Sequence, residues 1–127
     1  MIPGNAERTN SNEDSLFVKV DYRFVRIALK SIRYIKGYGE YLQIYLEGET
    51  QPMLTLSSFN AIMDCLSENF LQVHRSYIVN MNHVDHIIRQ RIVMDKDTYV
   101  PVGDSYRNSL MQYLTNHAPA SQVKKQS

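Results

Sequence analysis

The sequence contains no tryptophan, a single cysteine, five glycines and four prolines in 127 residues. One cysteine, Cys65, cannot form an internal disulfide, so we expect a reducing, cytoplasmic compartment. No run of about 18 consecutive apolar residues exists and the N-terminus has no apolar segment, so we expect neither a membrane-spanning helix nor a secretory signal. Apolar residues make up 43% and charged residues 21% of the chain. This composition predicts one soluble globular domain.

Neither sign of charge dominates, because 14 Lys and Arg residues oppose 13 Asp and Glu residues and leave a net charge of +1. The basic residues are unevenly distributed, however. Six of them stand between Lys19 and Lys36, beside one acid, Asp21. This asymmetry is typical of a surface that meets phosphate, and also of the solvent-facing sides of strands. The charge pattern alone leaves both interpretations open.

The two ends of the sequence show no regular apolar pattern. Residues 1–15 are rich in Asn, Ser and Gly, and residues 118–127 contain Pro119 followed by Ser, Gln and Lys. We interpret the first segment as a flexible linker or arm and the last as a flexible tail. The folded body is therefore predicted at residues 16–117. A linker at the start favours a chain that is one piece of a longer protein.

Alternating apolar residues dominate the predicted body. Leu16, Val18 and Val20 share one face of a predicted strand, and a turn near Asp21–Tyr22 leads into a second strand, which predicts a hairpin. Many short strands at regular spacing predict an all-β-dominated sandwich or layered sheet. Further strands are predicted at 32–36, 41–47, 53–56, 71–73, 77–79, 84–89, 92–94 and 99–102.

Two segments have helical spacing instead. In residues 57–66 the apolar side chains fall at i, i+3, i+4 and i+7, and Ser57 or Ser58 is the predicted N-cap. In residues 105–116 they fall at i, i+4, i+7 and i+8, with Asp104 or Ser105 as the predicted cap. Both segments are predicted to be short amphipathic helices that pack one face on a sheet.

Candidates for catalysis or metal binding are weak. Cys65 and His74 form a possible nucleophile and base, but the local signatures of cysteine enzymes are absent and we expect Cys65 to be a buried apolar residue. His83 and His86, with His74 as a third ligand, are a possible metal site, yet residues three apart on a strand face opposite sides. No glycine-rich phosphate loop occurs. We therefore predict no enzyme activity, no metal and no cofactor.

Four motifs are more specific than any of these patterns. They stand in the order Ile32–Lys36, Thr55–Phe59, Phe70–Asn80 and Val100–Arg107, and the third reads FLQVHRSYIVN. Together they resemble the LytTR family of bacterial DNA-binding domains, and the likeness covers residues 16–117. The resemblance implies an elongated stack of three small, mostly antiparallel sheets in which loops at one edge enter successive DNA grooves. It does not imply a recognition helix.

The resemblance also implies a function and partners. Domains of this family serve as transcription-factor outputs, usually behind a phosphorylatable receiver domain. The implied partner is double-stranded DNA, with direct repeats in promoters and a dimer on DNA. No membrane partner is implied.

Site residues follow from the matching positions. The resemblance implies that loops at one edge read bases and that neighbouring polar groups hold phosphates. The implied base-reading residues are Glu40, Tyr41, Arg75 and Asp104. The implied phosphate contacts are Lys36, Ser58, Asn60, Ser105 and Arg107.

The sequence departs from the family at three of these positions. Family members can carry histidine and arginine where Glu40 and Asp104 stand, and often carry lysine where Asn60 stands. A carboxylate cannot bond to guanine O6 or N7, but it accepts a hydrogen bond from cytosine N4. Either the domain reads a cytosine-rich pattern, or Tyr41 and Arg107 make the contacts instead.

A second function remains open, a β-rich protein-interaction module or anti-regulator that has lost DNA binding through its acidic substitutions. The two functions predict different edges. DNA binding predicts a positive edge formed by Arg75, Arg107 and Lys36, whereas an interaction module predicts an exposed apolar patch there. Two aromatic side chains are also ambiguous. We expect Tyr106 to pack under the C-terminal helix, and His74 is either a core-facing polar residue or part of the site.

Overall fold

A computed structural model describes residues 14–119, which form ten strands and two α-helices, with all strand pairs antiparallel. This confirms the predicted all-β-dominated fold of short antiparallel sheets with two short helices. The helices are α1 (Phe59–Met63) and α2 (Arg107–Asn116). The strands are β1 (Ser15–Val20), β2 (Arg23–Ala28), β3 (Ile32–Tyr38), β4 (Tyr41–Leu46), β5 (Met53–Leu56), β6 (Phe70–His74), β7 (Tyr77–Asn80), β8 (His86–Ile88), β9 (Arg91–Asp95) and β10 (Thr98–Pro101).

Strands β1 and β2 form the predicted hairpin as a two-stranded sheet. Leu16, Val18 and Ile27 are buried on its inner face, as the period of two requires. Asp21 makes the turn with φ 58°, a left-handed conformation that Asp tolerates better than most residues. The hairpin is held against β5, where the Thr55 hydroxyl donates to the Lys19 carbonyl oxygen (2.8 Å).

The central sheet has five strands in the order β5-β4-β3-β7-β6. Its two faces belong to different cores because successive side chains point to opposite sides. Ile35, Ile44 and Ile78 face the hairpin and α1, whereas Val73 and Val79 face the opposite side. The sheet is therefore the middle layer of the protein and is apolar on both faces.

Strands β8, β9 and β10 form a three-stranded sheet that packs with α2 over the second face of the central sheet. Ile92 and Val100 of this sheet are fully buried, and Leu110 is the buried residue of α2. The three sheets agree with the number that the family resemblance implies. An ion pair between Arg33 of β3 and Asp95 of β9 (2.6 Å) joins the two sheets at their border.

Helix α1 is shorter than the predicted 57–66. Ser58 is its N-cap, as predicted, and its hydroxyl accepts from the Ala61 N–H (3.2 Å). After Met63 the chain tightens, because the N–H groups of Cys65 and Leu66 bond to carbonyls three residues back. Cys65 is exposed in this turn, so the expectation that it is a buried apolar residue is wrong.

Helix α2 begins at Arg107, after a 3-10 turn at Asp104–Tyr106, rather than at residue 105. No side chain caps it, so the predicted cap at Asp104 or Ser105 is wrong. The Asp104 carboxylate instead lies 3.8 Å from the Arg107 guanidinium. In the 3-10 turn, the N–H groups of Tyr106 and Arg107 donate to the carbonyl oxygens of Gly103 and Asp104, three residues back, so these groups need no side-chain cap.

Several strand ends differ from the prediction by one or two residues. Strand β3 continues to Tyr38, two residues beyond its predicted end at residue 36, so the turn into β4 consists of Gly39 and Glu40. Gly39 has φ 62°, which is the reason a glycine stands there. Strand β8 covers 86–88 instead of 84–89, because Arg89 turns away with φ 56°.

The two segments predicted to be flexible, 1–15 and 118–127, lie mostly outside the described residues. Ser15 belongs to β1, so the predicted arm reaches at most residue 14, and residues 1–13 lie outside the described part of the chain. The predicted tail lies outside it from residue 120 onward. The longest helix in residues 14–119 has ten residues, and none there is long and apolar enough to cross a bilayer.

Candidate nucleic-acid interface

Four connections meet at one end of the central sheet, and we call them together the loop edge: residues 39–41, 57–60, 75–76 and 103–107. Strand register brings the first three together, since Tyr38 pairs with Tyr41, Tyr41 with Leu56, and Lys36 with Tyr77. The fourth is tied to the end of β6, where the Gly103 N–H donates to the Val73 carbonyl oxygen (2.8 Å). The topology thus gathers segments that lie far apart in the sequence.

An open groove of about 690 Å³ runs along the loop edge. Four of the predicted site residues line it: Glu40, Tyr41, Ser58 and Arg75. Among residues 14–119, Glu40 and Arg75 are the only charged residues that line it, and their formal charges cancel. The structure therefore brings together three predicted base-reading residues and one predicted phosphate contact.

The turn that carries Arg75 is fixed by its backbone. The Ser76 carbonyl oxygen accepts from the Gly37 N–H (2.9 Å), and the Ser76 N–H donates to His74 Nδ1 (3.0 Å). His74 is half-buried and packs edge-to-face on Tyr77, with ring centroids 5.5 Å apart. His74 is therefore a positioning residue for this turn, because its ring nitrogen holds the backbone next to Arg75.

The Arg75 side chain itself is exposed, and within residues 14–119 it makes no ion pair. Neither Glu40 nor Asp104 forms an ion pair with it. An unpaired guanidinium on an ordered turn keeps all five of its N–H donors available.

The remaining predicted base-reading residue, Asp104, lies beside this turn. Gly103 allows the close approach, because a Cβ there would lie 3.3 Å from the Tyr106 ring and 3.7 Å from His74. Asp104, Ser105 and Arg107 are all exposed. Tyr106 is half-buried against Gly103, and its hydroxyl oxygen accepts from Gln72 Nε2 (3.4 Å), so its ring packs on β6.

The remaining predicted phosphate contacts differ in position. Asn60 is exposed on α1, next to the groove. Lys36 is half-buried on the face of the central sheet that points away from the hairpin. There its ammonium lies 5.7 Å from the centre of the Tyr77 ring. Of the three cations predicted to form a positive edge, Arg75 and Arg107 are therefore at the loop edge and Lys36 is set back from it.

The comparison with known families decides the classification. The model of the LytTr DNA-binding domain matches residues 22–115, which is most of the chain. The chain belongs to the LytTR family of DNA-binding domains.

Among the solved structures with the same fold is the LytTr DNA-binding domain of a putative methyl-accepting/DNA response regulator from Bacillus cereus. The two chains share 21% identity with a TM-score of 0.67, and the alignment covers 80% of this chain and 97% of the other. A search of curated proteins finds no match.

This LytTR domain also exposes apolar side chains beside the groove, which sequence patterns did not reveal. We call them the apolar strip: Tyr38, Tyr41, Leu54 and Leu56. Register places them on one face of β3, β4 and β5, away from the hairpin. The alternation of Leu54 and Leu56 with the buried Thr55 could have predicted that the two leucines lie on the opposite face of β5 from Thr55. The loop edge thus combines exposed arginines with an apolar surface.

Two ionisable groups of the LytTR domain have shifted pKa values, both away from the loop edge. Burial, and then the neighbouring Tyr45, raise the pKa of Tyr34, whose ring stacks on that of Tyr45 at 4.4 Å. A hydrogen bond from the Asp97 N–H (2.9 Å) lowers the pKa of Asp95, and Arg33 adds to the effect.

The histidines considered for a metal site have other roles. His83 Nε2 donates to the Lys30 carbonyl oxygen (2.6 Å), and His86 Nδ1 lies 2.8 Å from the Asp85 carboxylate. In the described range, 14–119, no three His, Cys, Asp or Glu side chains form a group able to hold a metal.

Proposed function

We propose that this LytTR domain binds double-stranded DNA sequence-specifically through its loop edge and regulates transcription. The observation that carries the proposal is Arg75, an exposed guanidinium without an ion-pair partner in residues 14–119, on a turn fixed by backbone hydrogen bonds. Base readout requires directed donors on an ordered frame, and this turn supplies both. Arg75 is the reading residue for a guanine edge or a narrow minor groove.

The neighbouring side chains suit complementary roles. Glu40 and Asp104 are acceptors for cytosine N4 amino groups. Ser58 keeps its hydroxyl proton for a phosphate while its oxygen caps α1, and Asn60, Ser105 and Arg107 offer further donors. Lys36 reaches a phosphate only if its side chain leaves the Tyr77 ring.

The charge balance of the edge predicts a shallow dependence on salt. Glu40 and Asp104 offset Arg75 and Arg107, so few phosphates are neutralised. Each neutralised phosphate contributes about 0.9 to the slope of log affinity against log salt concentration. We expect weak binding by the isolated domain with a slope magnitude of about 2, measured by anisotropy titrations across salt concentrations. Salt-independent tight binding would contradict a phosphate-based grip.

The wider biological setting forms part of the same proposal. We place the domain in the cytoplasm, as the output of a two-component response regulator with a receiver domain, acting as a dimer on direct repeats. A dimer reads two half-sites spaced by about one helical turn. Selection of binding sequences from random duplexes should then enrich two copies of one motif in the same orientation, and a single unrepeated motif would contradict the dimer.

The main experiment uses the sequence so selected. Arg75→Ala should lower affinity for it by about 5- to 150-fold, which corresponds to about 1–3 kcal/mol for one good base contact. The thermal melting temperature should stay unchanged, because Arg75 is exposed. Lys96→Ala is the matched control, since Lys96 is an exposed cation in the turn between β9 and β10. Equal binding by both variants would contradict the role of Arg75.

The apolar strip favours a second candidate, a protein-interaction module or anti-regulator. Tyr38 and Leu56 expose 60% and 65% of their surface next to the groove. Exposed apolar surface of this kind marks interaction sites. This candidate predicts that the parent enriches no duplex sequence, whereas DNA binding predicts enrichment that survives Leu56→Ser.

A further inference from the structure

The outer face of the β1–β2 hairpin is exposed, aromatic and basic. We call five of the hairpin's residues the hairpin patch: Phe17, Lys19, Phe24 and Arg26, which share this face, and Tyr22 in the turn. Phe17 exposes 59%, Phe24 70% and Tyr22 99% of its surface. The inner face already supplies the hairpin's share of the core, so these rings have no part in the main packing.

Rings and cations alternate across the patch. Phe17 stands opposite Arg26, and Lys19 stands opposite Phe24. The Arg26 guanidinium lies 5.2 Å from the centre of the Phe17 ring, and the Lys19 ammonium lies 6.0 Å from that of Phe24. The only carboxylate in residues 15–28 is Asp21, in the turn. The patch is therefore a positive surface with two rings on one diagonal.

This arrangement narrows the class of occupant. A second copy of the chain would bring the same excess of positive charge against this surface, which disfavours self-association through it. A DNA duplex keeps its bases stacked inside, where Phe17 and Phe24 cannot reach them. A single strand offers both complementary groups, bases that stack on aromatic rings and phosphates that pair with cations. Diagonal neighbours on a ribbon lie about 7–8 Å apart, within reach of successive nucleotides in an extended strand.

We propose that the hairpin patch binds a short single-stranded nucleic-acid segment, with bases stacked on Phe17 and Phe24 and phosphates paired with Lys19 and Arg26. None of the patch residues lines the groove at the loop edge. Phe17 and Lys19 also lie outside the residues that the family model matches, 22–115.

The absence of tryptophan from the sequence allows a direct test. Phe24→Trp places a single reporter in the patch, and oligothymidylate or oligouridylate should quench its emission saturably, with the stronger of the two identifying DNA or RNA. Tyr99→Trp is the matched control, because Tyr99 is 54% exposed and pairs with one cation, Arg91 (4.6 Å), on another sheet. Equal quenching of the two reporters, or no quenching of the reporter in the patch, overturns the proposal. A blue shift with anionic phosphatidylglycerol vesicles and no oligonucleotide response would overturn it in favour of a membrane surface.

A second measurement distinguishes base stacking on the rings from non-specific hydrophobic binding. The double variant Phe17→Leu/Phe24→Leu keeps the apolar area but removes the aromatic faces. It should bind labelled oligothymidylate or oligouridylate at least about fivefold more weakly, with an unchanged melting temperature because both rings are exposed. Unchanged affinity would overturn the proposal.

The same variants distinguish this site from the duplex site. The double Leu variant should bind the selected duplex like the parent, and Arg75→Ala should bind the single strand like the parent. If Arg75→Ala loses both ligands together, the single strand binds at the loop edge and the hairpin patch has no such role. Failure of the parent to bind any duplex would overturn the proposed function alone.

Discussion

The two ends of the central sheet use their polar groups in opposite ways. At the end away from the loop edge, which we call the anchored end, the fully buried Asn80 amide donates to the Ile32 carbonyl oxygen (2.9 Å). Its oxygen accepts from Asn69 Nδ2 (2.7 Å) and from the Asn82 N–H (2.9 Å). At the loop edge the backbone is bonded, but the Arg75 side chain is exposed and makes no ion pair within residues 14–119.

This difference separates stability from binding within one sheet. A buried polar group contributes to stability only when it is satisfied, so the anchored end is intolerant of change. Exposed donors contribute little to stability and remain available to a ligand. We expect substitutions at the anchored end to affect unfolding and those at the loop edge to affect binding.

The largest effect expected tests the anchored end. Asn80→Leu removes three hydrogen bonds, which the buried carbonyl oxygen of Ile32, the half-buried side chain of Asn69 and the Asn82 N–H then lack. The free energy of unfolding should fall by about 3 kcal/mol or more, measured by urea denaturation. Asn108→Leu, on the exposed side of α2, should stay within about 0.5 kcal/mol of the parent. Similar values for the two variants would remove the distinction between the ends.

A smaller effect tests the backbone of the loop edge. Gly39 has φ 62°, and a Cβ added there would have no atom within 4 Å. Gly39→Ala therefore introduces conformational strain but no steric clash. We expect a loss of about 1 kcal/mol in the free energy of unfolding. Gly37→Ala is the control, because its Cβ would lie 3.7 Å from the Phe59 ring, an ordinary contact, and its φ is not positive. An equal loss at Gly37 would show that strain is not the cause.

A change of charge at the loop edge should act on binding alone. Glu40→Gln removes repulsion between a carboxylate and phosphate that amounts to about 1 kcal/mol at most in water. Affinity for a non-specific duplex should rise up to about fivefold at low salt, and the selected sequence preference should change. Glu47→Gln, an exposed acid at the anchored end, is the control. A gain that persists at high salt would argue against an electrostatic cause.

The smallest effect concerns acid at the border of two sheets. The folded state lowers the pKa of Asp95, chiefly through the Asp97 N–H, so its stabilising contribution is present above the unfolded pKa and is lost as pH falls through the folded value. The melting temperature of Asp95→Asn should therefore fall less than that of the parent as the pH drops below about 4. Parallel melting curves of the parent and Asp95→Asn through the acid range would contradict this role.

Much of the local structure followed from patterns that neighbours in sequence determine. The period of two predicted the hairpin and its buried Leu16 and Val18. The cap of α1 was predicted as Ser57 or Ser58 from their place before the helix, and it is Ser58. The four motifs, taken together, identified the family. The predicted cap at Asp104 or Ser105 failed because a 3-10 turn, tied through Gly103 to β6, begins there instead.

The sequence by itself thus determined the strand period, the family and the residues of the loops, since these depend on side-chain alternation and short motifs. The tertiary structure alone decided which of these residues meet. Pairing of β3 with β7 brings Arg75 to the groove with Glu40. The same register places Lys36 beside Tyr77, on the face of the central sheet that points away from the hairpin. Likewise, only the incomplete cover of the central sheet leaves Leu54 and Leu56 exposed. The physical reason is that strand pairing and layer contacts join residues distant in sequence, and no local pattern records which face a neighbouring layer will cover.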